Sequence, residues 1–502
     1  MSLALVPAPS SVEQLSGAPF RLTENTRLTG DPDAAATLSA LLRARTGSAP
    51  ADGGGPAIDL RLESGGAAES YRLTADEASV TVSGADAAGL FYGVQTLAQL
   101  LRRDGDDWIV PAVRIDDAPR FPYRGVMLDV ARHFHSVETV KAYIDHAATL
   151  KLNALHLHLS DDQGWRLQLH SRPKLTELGS SSAVGGDAGG FYTKDGYREI
   201  VAHAASRHML VVPEIDMPGH THAIGLAYPE LVEEPVLSDL IRDSAAARGE
   251  DLPENGVPYQ GIAVGFSSLR IYDEATYDFA ADVFGELAGM TPGPYLHLGG
   301  DEALGTPDDD FALFVSRVSG IIADLGKTPV AWHEAGLAPD LADTTVGQYW
   351  GYATPTDGMD DKARAFVRNG AQLILSPADA IYLDMAYPDG PDLGLTWANG
   401  PTSVRRAYDW EPGSLIDGVD DDDILGIEAP LWSETARTLA DIETLAFPRI
   451  AAAAEAGWSP ATGASELRTW ESFRARAAGL GPLWSSLGIR FHPSPEIDWA
   501  TE

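Results

Sequence analysis

The chain has 502 residues, of which 44% are hydrophobic and 22% are charged, and this balance is typical of a globular protein with a large core. Its net charge of −37 argues against nucleic acid or an anionic membrane surface as a partner. No stretch approaches the ~18 consecutive apolar residues of a membrane span, so we expect no membrane partner.

The chain contains no cysteine, which excludes disulfides and thiolate chemistry but suits reducing and oxidising compartments alike. The first seven residues have no basic segment and only a short apolar run, so they do not form a signal-peptide pattern. A cytoplasmic location and secretion with the signal removed both stay open. The sequence does not predict an oligomeric state.

Residues 1–117 are predicted to form a small α+β domain. Residues 71–74 and 79–82 alternate between apolar and polar side chains, as half-exposed strands do. Residues 87–101 carry apolar side chains at helical spacing. We expect this domain to end at the junction Asp116 to Pro119, and residues 118–502 to form a second domain.

From Tyr123 onward, short apolar strands alternate with longer amphipathic helices. The expected strands are residues 125–129, 154–159, 210–215, 295–298, 329–332, 346–350, 372–375 and 425–428. The expected helices are residues 137–150, 195–208, 275–287, 311–325 and 442–456. Such alternation predicts an α/β fold, a parallel (β/α)8 TIM barrel. The Pro- and Gly-rich residues 233–268 have no assigned place, and the acidic run 420–423 is expected to be a solvated loop.

In such a barrel the active site lies at the carboxyl ends of the strands. The polar and aromatic residues that follow the strands here are Arg132, Asp161, Asp216, His220, Asp301, Glu302, Trp332, Trp350, Tyr382, Asp384, Trp432 and Glu434. Carboxylates and an arginine bind sugar hydroxyls, while indole rings stack on the C–H faces of sugars. The set therefore predicts a carbohydrate site.

The most informative stretch follows the fourth strand, where Gly299 and Gly300 lead into Asp301 and Glu302. Two glycines allow a sharp turn or the close approach of a ligand. Adjacent residues of a regular strand point to opposite faces. Both carboxylates can therefore enter one site only if the backbone departs from strand geometry at the glycines.

Two histidine pairs, His156 with His158 and His220 with His222, support a competing hypothesis. Residues i and i+2 of a strand share one face, and such a pair can hold a hydrolytic metal. The later strands offer no clear further set of histidine ligands. We therefore favour structural histidines and expect no metal and no cofactor, while a metal-dependent barrel hydrolase stays as an alternative.

The chain resembles the bacterial β-N-acetylhexosaminidases of glycoside hydrolase family 20. The segments that carry the resemblance run in order from the first strand to the last and are residues 128–134, 156–165, 213–220, 297–302 and 428–434. The N-terminal segment also resembles the non-catalytic domain that precedes the barrel in this family. The resemblance implies an exo-acting enzyme that removes terminal β-linked GlcNAc or GalNAc from glycans or chitooligosaccharides.

The resemblance also implies a retaining mechanism in which the substrate's own 2-acetamido oxygen is the nucleophile and an oxazoline is the intermediate. Glu302 would be the general acid and base, and Asp301 would orient the acetamido N–H. Arg132 would bind hydroxyls of the terminal sugar. A member of the family that releases disaccharides, and a non-catalytic sugar-binding protein, are the alternatives within this resemblance.

The same resemblance implies roles for the remaining residues. Trp332, Trp350 and Trp432 would wall the acetamido pocket, and Tyr382 would donate to the acetamido oxygen. The other expected contacts are Asp384 and Glu434 to outer hydroxyls, Asp161, Asp216 and His220 as a polar network near the acid, and Trp397 on the leaving-group side. One departure affects Trp332, because the chain reads Ala331-Trp332-His333-Glu334 where glycine before and acidic residues after the tryptophan are expected.

Overall fold

The computed structural model describes residues 3–49 and 54–500, and its N-terminal part is an α+β domain with two sheets. The strands are β1 (Ser11–Gln14), β2 (Phe20–Leu22), β3 (Arg27–Gly30), β4 (Ala57–Leu62), β5 (Tyr71–Ala75), β6 (Ser79–Gly84), β7 (Arg102–Asp104), β8 (Asp107–Val110) and β9 (Val113–Asp117). Six of them form a sheet in the order β1-β9-β5-β6-β4-β3, and β2, β8 and β7 form the second sheet.

Two helices, α1 (Pro32–Thr46) and α2 (Ala87–Leu100), complete this domain. The Asp86 side chain begins α2 by accepting a hydrogen bond from the Gly89 N–H, which satisfies one of the donors left free at a helix start. Nearly all of α2 is buried, since it packs against the six-stranded sheet and α1. The last strand of these two sheets, β9, ends at Asp117.

The second domain contains a closed barrel of eight parallel strands. These strands are β10 (Tyr123–Asp129), β11 (Ala154–His158), β14 (Leu210–Glu214), β15 (Tyr295–His297), β16 (Thr328–Trp332), β17 (Val346–Tyr349), β18 (Leu373–Leu375) and β19 (Ile424–Ala429). A small hairpin of β12 (Ser160–Asp161) and β13 (Gly164–Trp165) follows β11. β19 pairs with β10 and closes the barrel, so the predicted (β/α)8 fold is confirmed.

Helices surround the barrel and fill its connections. They are α3 (Val137–Ala148), α4 (Lys174–Leu178), α5 (Lys194–Ala205), α6 (His222–Ala227), α7 (Asp239–Arg248), α8 (Glu274–Met290), α9 (Asp308–Asp324), α10 (Met359–Arg368), α11 (Ala378–Ile381), α12 (Val404–Tyr408), α13 (Leu439–Ala446), α14 (Arg449–Trp458), α15 (Trp470–Ala477) and α16 (Leu480–Ser486). Across the described ranges, none of these helices combines the length and the apolar character that crossing a membrane requires.

One expectation about local structure was wrong. The single helix expected over 442–456 is two helices, α13 and α14, which meet at Phe447 and Pro448. Proline has no N–H to donate and its ring clashes with the preceding turn, so the apolar spacing continues while the helix does not. The acidic run 420–423 lies at the surface as expected, and within it Asp421–Asp423 forms a short 3-10 turn and Asp421 pairs with Arg120.

A buried ion pair joins the two domains. Asp117, at the end of β9, accepts hydrogen bonds from Tyr71 Oη at 2.6 Å, Lys151 Nζ at 2.9 Å and Trp458 Nε1 at 3.0 Å. Tyr71 belongs to the N-terminal sheet, whereas Lys151 and Trp458 belong to the barrel domain. Since a buried charge is tolerated only when it is paired, these contacts couple the two domains.

Candidate active site

The two glycines after β15 turn the chain sharply towards the barrel mouth. Gly299 has φ = 75° and Gly300 has φ = 99°, and Glu302 itself adopts φ = 44°, which is rare for a residue with a side chain. A Cβ on Gly299 would lie 1.8 Å from Asp216 Oδ1, the atom that accepts a hydrogen bond from the Gly300 N–H at 2.9 Å. The expected departure from strand geometry is therefore present, and it brings both carboxylates to one cavity.

This cavity has a volume of about 260 Å³ and opens at the carboxyl ends of the barrel strands. Its lining residues are Arg132, Arg248, Ile262, Val264, Asp301, Glu302, Trp350, Tyr382, Leu395, Trp397, Trp432 and Glu434. Eight of the thirteen site residues expected from sequence are in this lining. The other five are buried behind it and are Asp161, Asp216, His220, Trp332 and Asp384.

Glu302 is only partly buried, with 36% of its side chain exposed. Loss of solvation in the cavity raises the pKa of Glu302 to about 7, and the charge of Asp301 adds to the effect. His220 and Arg132 oppose it, since their positive charges favour the ionised carboxyl. A carboxyl with this pKa can hold a proton near neutral pH and release it, as a general acid and base must.

His220 lies beneath both carboxylates. Its Nε2 is 3.7 Å from Glu302 Oε2 and 3.8 Å from Asp301 Oδ2, and its Nδ1 is 3.0 Å from Asp161 Oδ1. Burial lowers the pKa of an imidazole, but Asp161, Asp216 and Asp301 outweigh burial and hold the pKa of His220 well above its usual range. His220 is therefore a positive charge placed directly under the acid.

Arg132 is the cation that faces the cavity from the first strand's loop. Its Nη2 is 2.9 Å from Asp161 Oδ2, and its guanidinium lies 4.8 Å from the centroid of the Trp432 ring. Its Nε and Nη1 have no hydrogen-bond partner among the residues at 3–49 and 54–500. Nη1 also lies 3.6 Å from Asp129 Oδ2. Both nitrogens can donate to a sugar oxygen, which is the role that the resemblance implies for Arg132.

The first histidine pair belongs to a buried network beneath the site. His156 contacts Glu428 Oε1 at 2.8 Å and Glu214 Oε2 at 3.1 Å, while His158 contacts Asp161 Oδ2 at 2.7 Å and also Glu214. Burial lowers the pKa of both imidazoles, yet the carboxylates raise the pKa of His156 to about 10 and that of His158 to about 9. Both rings are engaged by carboxylates, which favours the structural interpretation over a metal centre.

Four groups of acidic residues and histidines are close enough in space to be metal ligands among the residues described. They combine His156 or His158 with Glu214 and its neighbours, and His220 with Asp161, Asp216 or Asp301. Every member is buried and several already contact one another as hydrogen-bond partners. These acidic and histidine side chains therefore fit a network of charged hydrogen bonds at least as well as they fit the ligands of a cation.

Aromatic rings wall one side of the cavity. Trp350 and Tyr382 lie with ring centroids 6.2 Å and 5.8 Å from Trp397, and Tyr382 lies 6.4 Å from Trp432. Trp332 is fully buried, packs at 6.1 Å against Trp432, and donates from Nε1 to Glu214 Oε1 at 2.8 Å. Trp332 therefore supports the wall from behind, whereas the other four rings face the cavity.

Asp384 and Glu434 present unpaired oxygen atoms. Both oxygens of Asp384 and Oε2 of Glu434 are buried and, within the described ranges, have no hydrogen-bond partner. Burial and the neighbouring Glu434 hold the pKa of Asp384 well above its usual range. A buried polar atom without a partner is costly, and a sugar hydroxyl that donates to it removes this cost.

Five residues at or beside the cavity were not predicted as site residues. Arg248, Ile262 and Val264 come from the unassigned segment 233–268, and Leu395 precedes Trp397 by two positions. Glu334 accepts hydrogen bonds from Trp350 Nε1 at 3.1 and 3.0 Å, and burial together with the charge of Asp301 raises its pKa to about 8. The sequence signal that could have identified Glu334 is its position as an acidic residue two places after Trp332.

Comparisons with known proteins decide the family. The model of the glycosyl hydrolase family 20 catalytic domain matches residues 121–310 and 305–461, and that of family 20 domain 2 matches residues 2–118. The chain belongs to glycosyl hydrolase family 20. It is 41% identical to a β-N-acetylhexosaminidase of Cellulomonas fimi, with 99% of this chain and 97% of the relative covered.

Solved structures of family members agree with this assignment. A family 20 β-N-acetylglucosaminidase is 76% identical, with a TM-score of 0.94 and coverage of 99% of this chain and 100% of that one. A Streptomyces plicatus β-hexosaminidase variant, solved with its product GlcNAc, is 44% identical and has a TM-score of 0.88. The match covers 99% of this chain and 98% of that one. The chain is thus a glycoside hydrolase with β-N-acetylhexosaminidase activity, in a family that uses substrate assistance.

Proposed function

We propose that the enzyme releases one terminal β-linked GlcNAc or GalNAc at a time, with Glu302 as acid and base and Asp301 as the residue that steers the substrate's acetamido group. The observation that carries this proposal is a single cavity in which both carboxylates and Arg132 face an aromatic wall. Its volume of about 260 Å³ is below the ~300–1,000 Å³ of pockets for drug-sized ligands. This size favours one enclosed sugar on the non-reducing side of the cleaved bond, with the leaving sugar at the mouth of the cavity, and so favours monosaccharide release.

In the first step the acetamido oxygen attacks the anomeric carbon as the glycosidic bond breaks. Glu302 donates its proton to the departing oxygen, and the oxazoline forms with positive charge spread over its ring. The Asp301 carboxylate accepts the acetamido N–H and offsets that charge. Tyr382 donates to the acetamido oxygen, and the indole wall keeps water away from the intermediate.

In the second step Glu302, now ionised, removes a proton from a water molecule that attacks the anomeric carbon. The anomeric configuration is retained, because two displacements occur at one carbon. The pKa of about 7 suits both steps, since the group has to be protonated in the first and ionised in the second.

Replacement of Glu302 by glutamine tests the acid role. General acid–base catalysis contributes ~10²–10⁴-fold, so we expect a loss of that order on chitobiose, whose leaving sugar needs a proton. The loss of the bond-breaking rate should be much smaller with 4-nitrophenyl β-GlcNAc, whose leaving group departs without one. Equal effects on this rate for the two substrates would refute the assignment of Glu302 as the acid.

Two further comparisons test the remaining parts of the proposal. An aryl β-glucoside lacks the internal nucleophile, so its hydrolysis should be negligible beside that of the aryl β-GlcNAc. Chitotetraose should yield GlcNAc and chitotriose as first products. Comparable hydrolysis of both aryl glycosides would exclude substrate assistance, and chitobiose set free from the non-reducing end of chitotetraose would support the disaccharide-releasing alternative.

A further inference from the structure

Residues 233–268 form a wall of the cavity that the proposed mechanism does not use. The segment follows the third barrel strand, β14, and contains α7. Arg248, the last residue of α7, lines the cavity together with Ile262 and Val264 from the loop that returns towards the barrel. A segment that extends from the barrel and comes back to the cavity mouth is placed to contact the part of a substrate outside the pocket.

The returning loop is held in place by side chains from two directions. Glu250 Oε2 accepts a hydrogen bond from the Ile262 N–H at 3.2 Å, and Gln163 Nε2 donates to the Gly261 carbonyl at 2.9 Å. Gln163 belongs to the hairpin after the second barrel strand, so the loop is tied to the barrel itself. The wall is therefore preformed, which reduces the entropy lost when a ligand binds to it.

Arg248 is unusual in its surroundings. The chain carries 73 acidic and 36 basic residues, yet no carboxylate pairs with Arg248 in the part of the chain that the structure describes. Its Nη1 donates to Ser244 on the preceding turn of α7, which orients the guanidinium from one side. The remaining N–H groups lie at a cavity whose other polar members include Glu302 and Glu434.

Arg248 shares the cavity with an exposed aromatic surface. Trp397 is 46% exposed, which is unusual for so large an apolar side chain, and it lines the same cavity. An indole face binds the C–H groups of a sugar, and a guanidinium donates to several sugar oxygens at once. Together they supply the two kinds of contact that a second sugar needs.

We propose that Arg248, with the apolar side chains of Ile262 and Val264, binds the leaving sugar of an oligosaccharide substrate. Segment 233–268 then gives the enzyme a preference for oligosaccharides over simple aryl glycosides. This inference rests on the proposed function, because the leaving sugar is defined by cleavage at Glu302. Contacts made to a leaving sugar can contribute to the rate as well as to affinity, since binding energy at a distance helps to position the reacting bond.

The test compares kcat/KM for chitobiose and for 4-methylumbelliferyl β-GlcNAc in the wild type, Arg248→Ala and Arg248→Lys. Hydrogen bonds to charged groups correspond to roughly tenfold effects or more, so Arg248→Ala should lower kcat/KM for chitobiose by about tenfold or more. The aryl substrate has no hydroxyls to meet the guanidinium and should change by less than about twofold. Arg248→Lys should recover only part of the loss, because lysine lacks the planar fork.

Arg242→Ala is the matched control, because Arg242 is exposed on the same helix and lies outside the cavity lining. It should leave both substrates unchanged, and melting temperatures should show that all variants are folded. Equal losses on both substrates, or no loss on either, would overturn the role of Arg248. A wild type that cleaves neither substrate would instead refute the proposed function, so the two failures are distinguishable.

Discussion

The charge of His220 sets the pH at which the acid works, and replacement of His220 by asparagine tests this. His220 has φ = 54°, a conformation that asparagine adopts more readily than most residues. Asparagine can also keep a hydrogen bond to Asp161 while removing the positive charge. A nearby cation favours the ionised carboxyl, so its removal raises the pKa of Glu302 and keeps the acid protonated to higher pH.

The size of the shift follows from the separation of 3.7 Å between His220 Nε2 and Glu302 Oε2. Two unit charges at this distance interact by about 1 kcal/mol in bulk water and by ~4.5 kcal/mol at an effective dielectric constant of 20. Glu302 is 36% exposed, which places the interaction in the lower part of this interval. At 1.36 kcal/mol per pKa unit, we expect an upward shift of about one to two units.

The assay is the pH profile of kcat/KM for chitobiose, since its alkaline limb reports the acid of the free enzyme. The wild-type limb should lie near pH 7, the pKa of Glu302, and the His220→Asn limb about one to two units higher. His222→Asn is the control, because the His222 ring contacts the Val257 carbonyl and its backbone N–H, which the substitution keeps, donates to Asp162; it should leave the limb in place. A His220→Asn limb that stays near pH 7 or moves to lower pH would refute this reasoning.

Two further substitutions test the turn at the acid pair and the contact between the domains. Gly299→Ala should lower kcat at least about 100-fold, because the new Cβ would displace Asp216 and with it the turn that carries both carboxylates. Gly285→Ala is the control. A Cβ there would lie in open space on α8, so kcat should not change. Lys151→Met should lower the free energy of unfolding by about 3–5 kcal/mol, measured by denaturant titration, because it leaves the buried Asp117 charge without its cation. Wild-type stability in this variant would mean that the ion pair does not join the domains.

The barrel was predictable because its strands are short apolar runs separated by helices with regular apolar spacing. The site was largely predictable for a related reason, since parallel strands in a barrel bring the residues after each strand to one mouth. Asp301 and Glu302 line the cavity with Arg132, as expected from their positions after the fourth and first strands. Their catalytic roles are predictions that the proposed variants have to test.

Segment 233–268 could not be placed from sequence because its position depends on distant contacts. The bond from Gln163 to Gly261 joins residues 98 positions apart, and no periodic pattern in the segment indicates it. Nothing in the sequence around Arg248 therefore distinguishes it from other arginines of the chain. The pKa of Glu302 was equally hidden, because it depends on the burial of the group and on the position of His220 in space.

The arrangement of charge explains why the site suits a cationic intermediate. Carboxyl groups outnumber cations around the cavity, and burial raises the pKa of Asp384 and Glu434 as well as that of Glu302. Crowded carboxyl groups are stabilised by a ligand whose outer hydroxyls donate hydrogen bonds to them. They are stabilised further when positive charge develops at the reacting carbon of the ligand, because that charge offsets their mutual repulsion. A neutral sugar supplies the donors on binding, whereas the oxazoline supplies the charge only as the bond breaks beside Asp301. The cavity is therefore more favourable to the reacting substrate than to the bound one, which is the condition for catalysis.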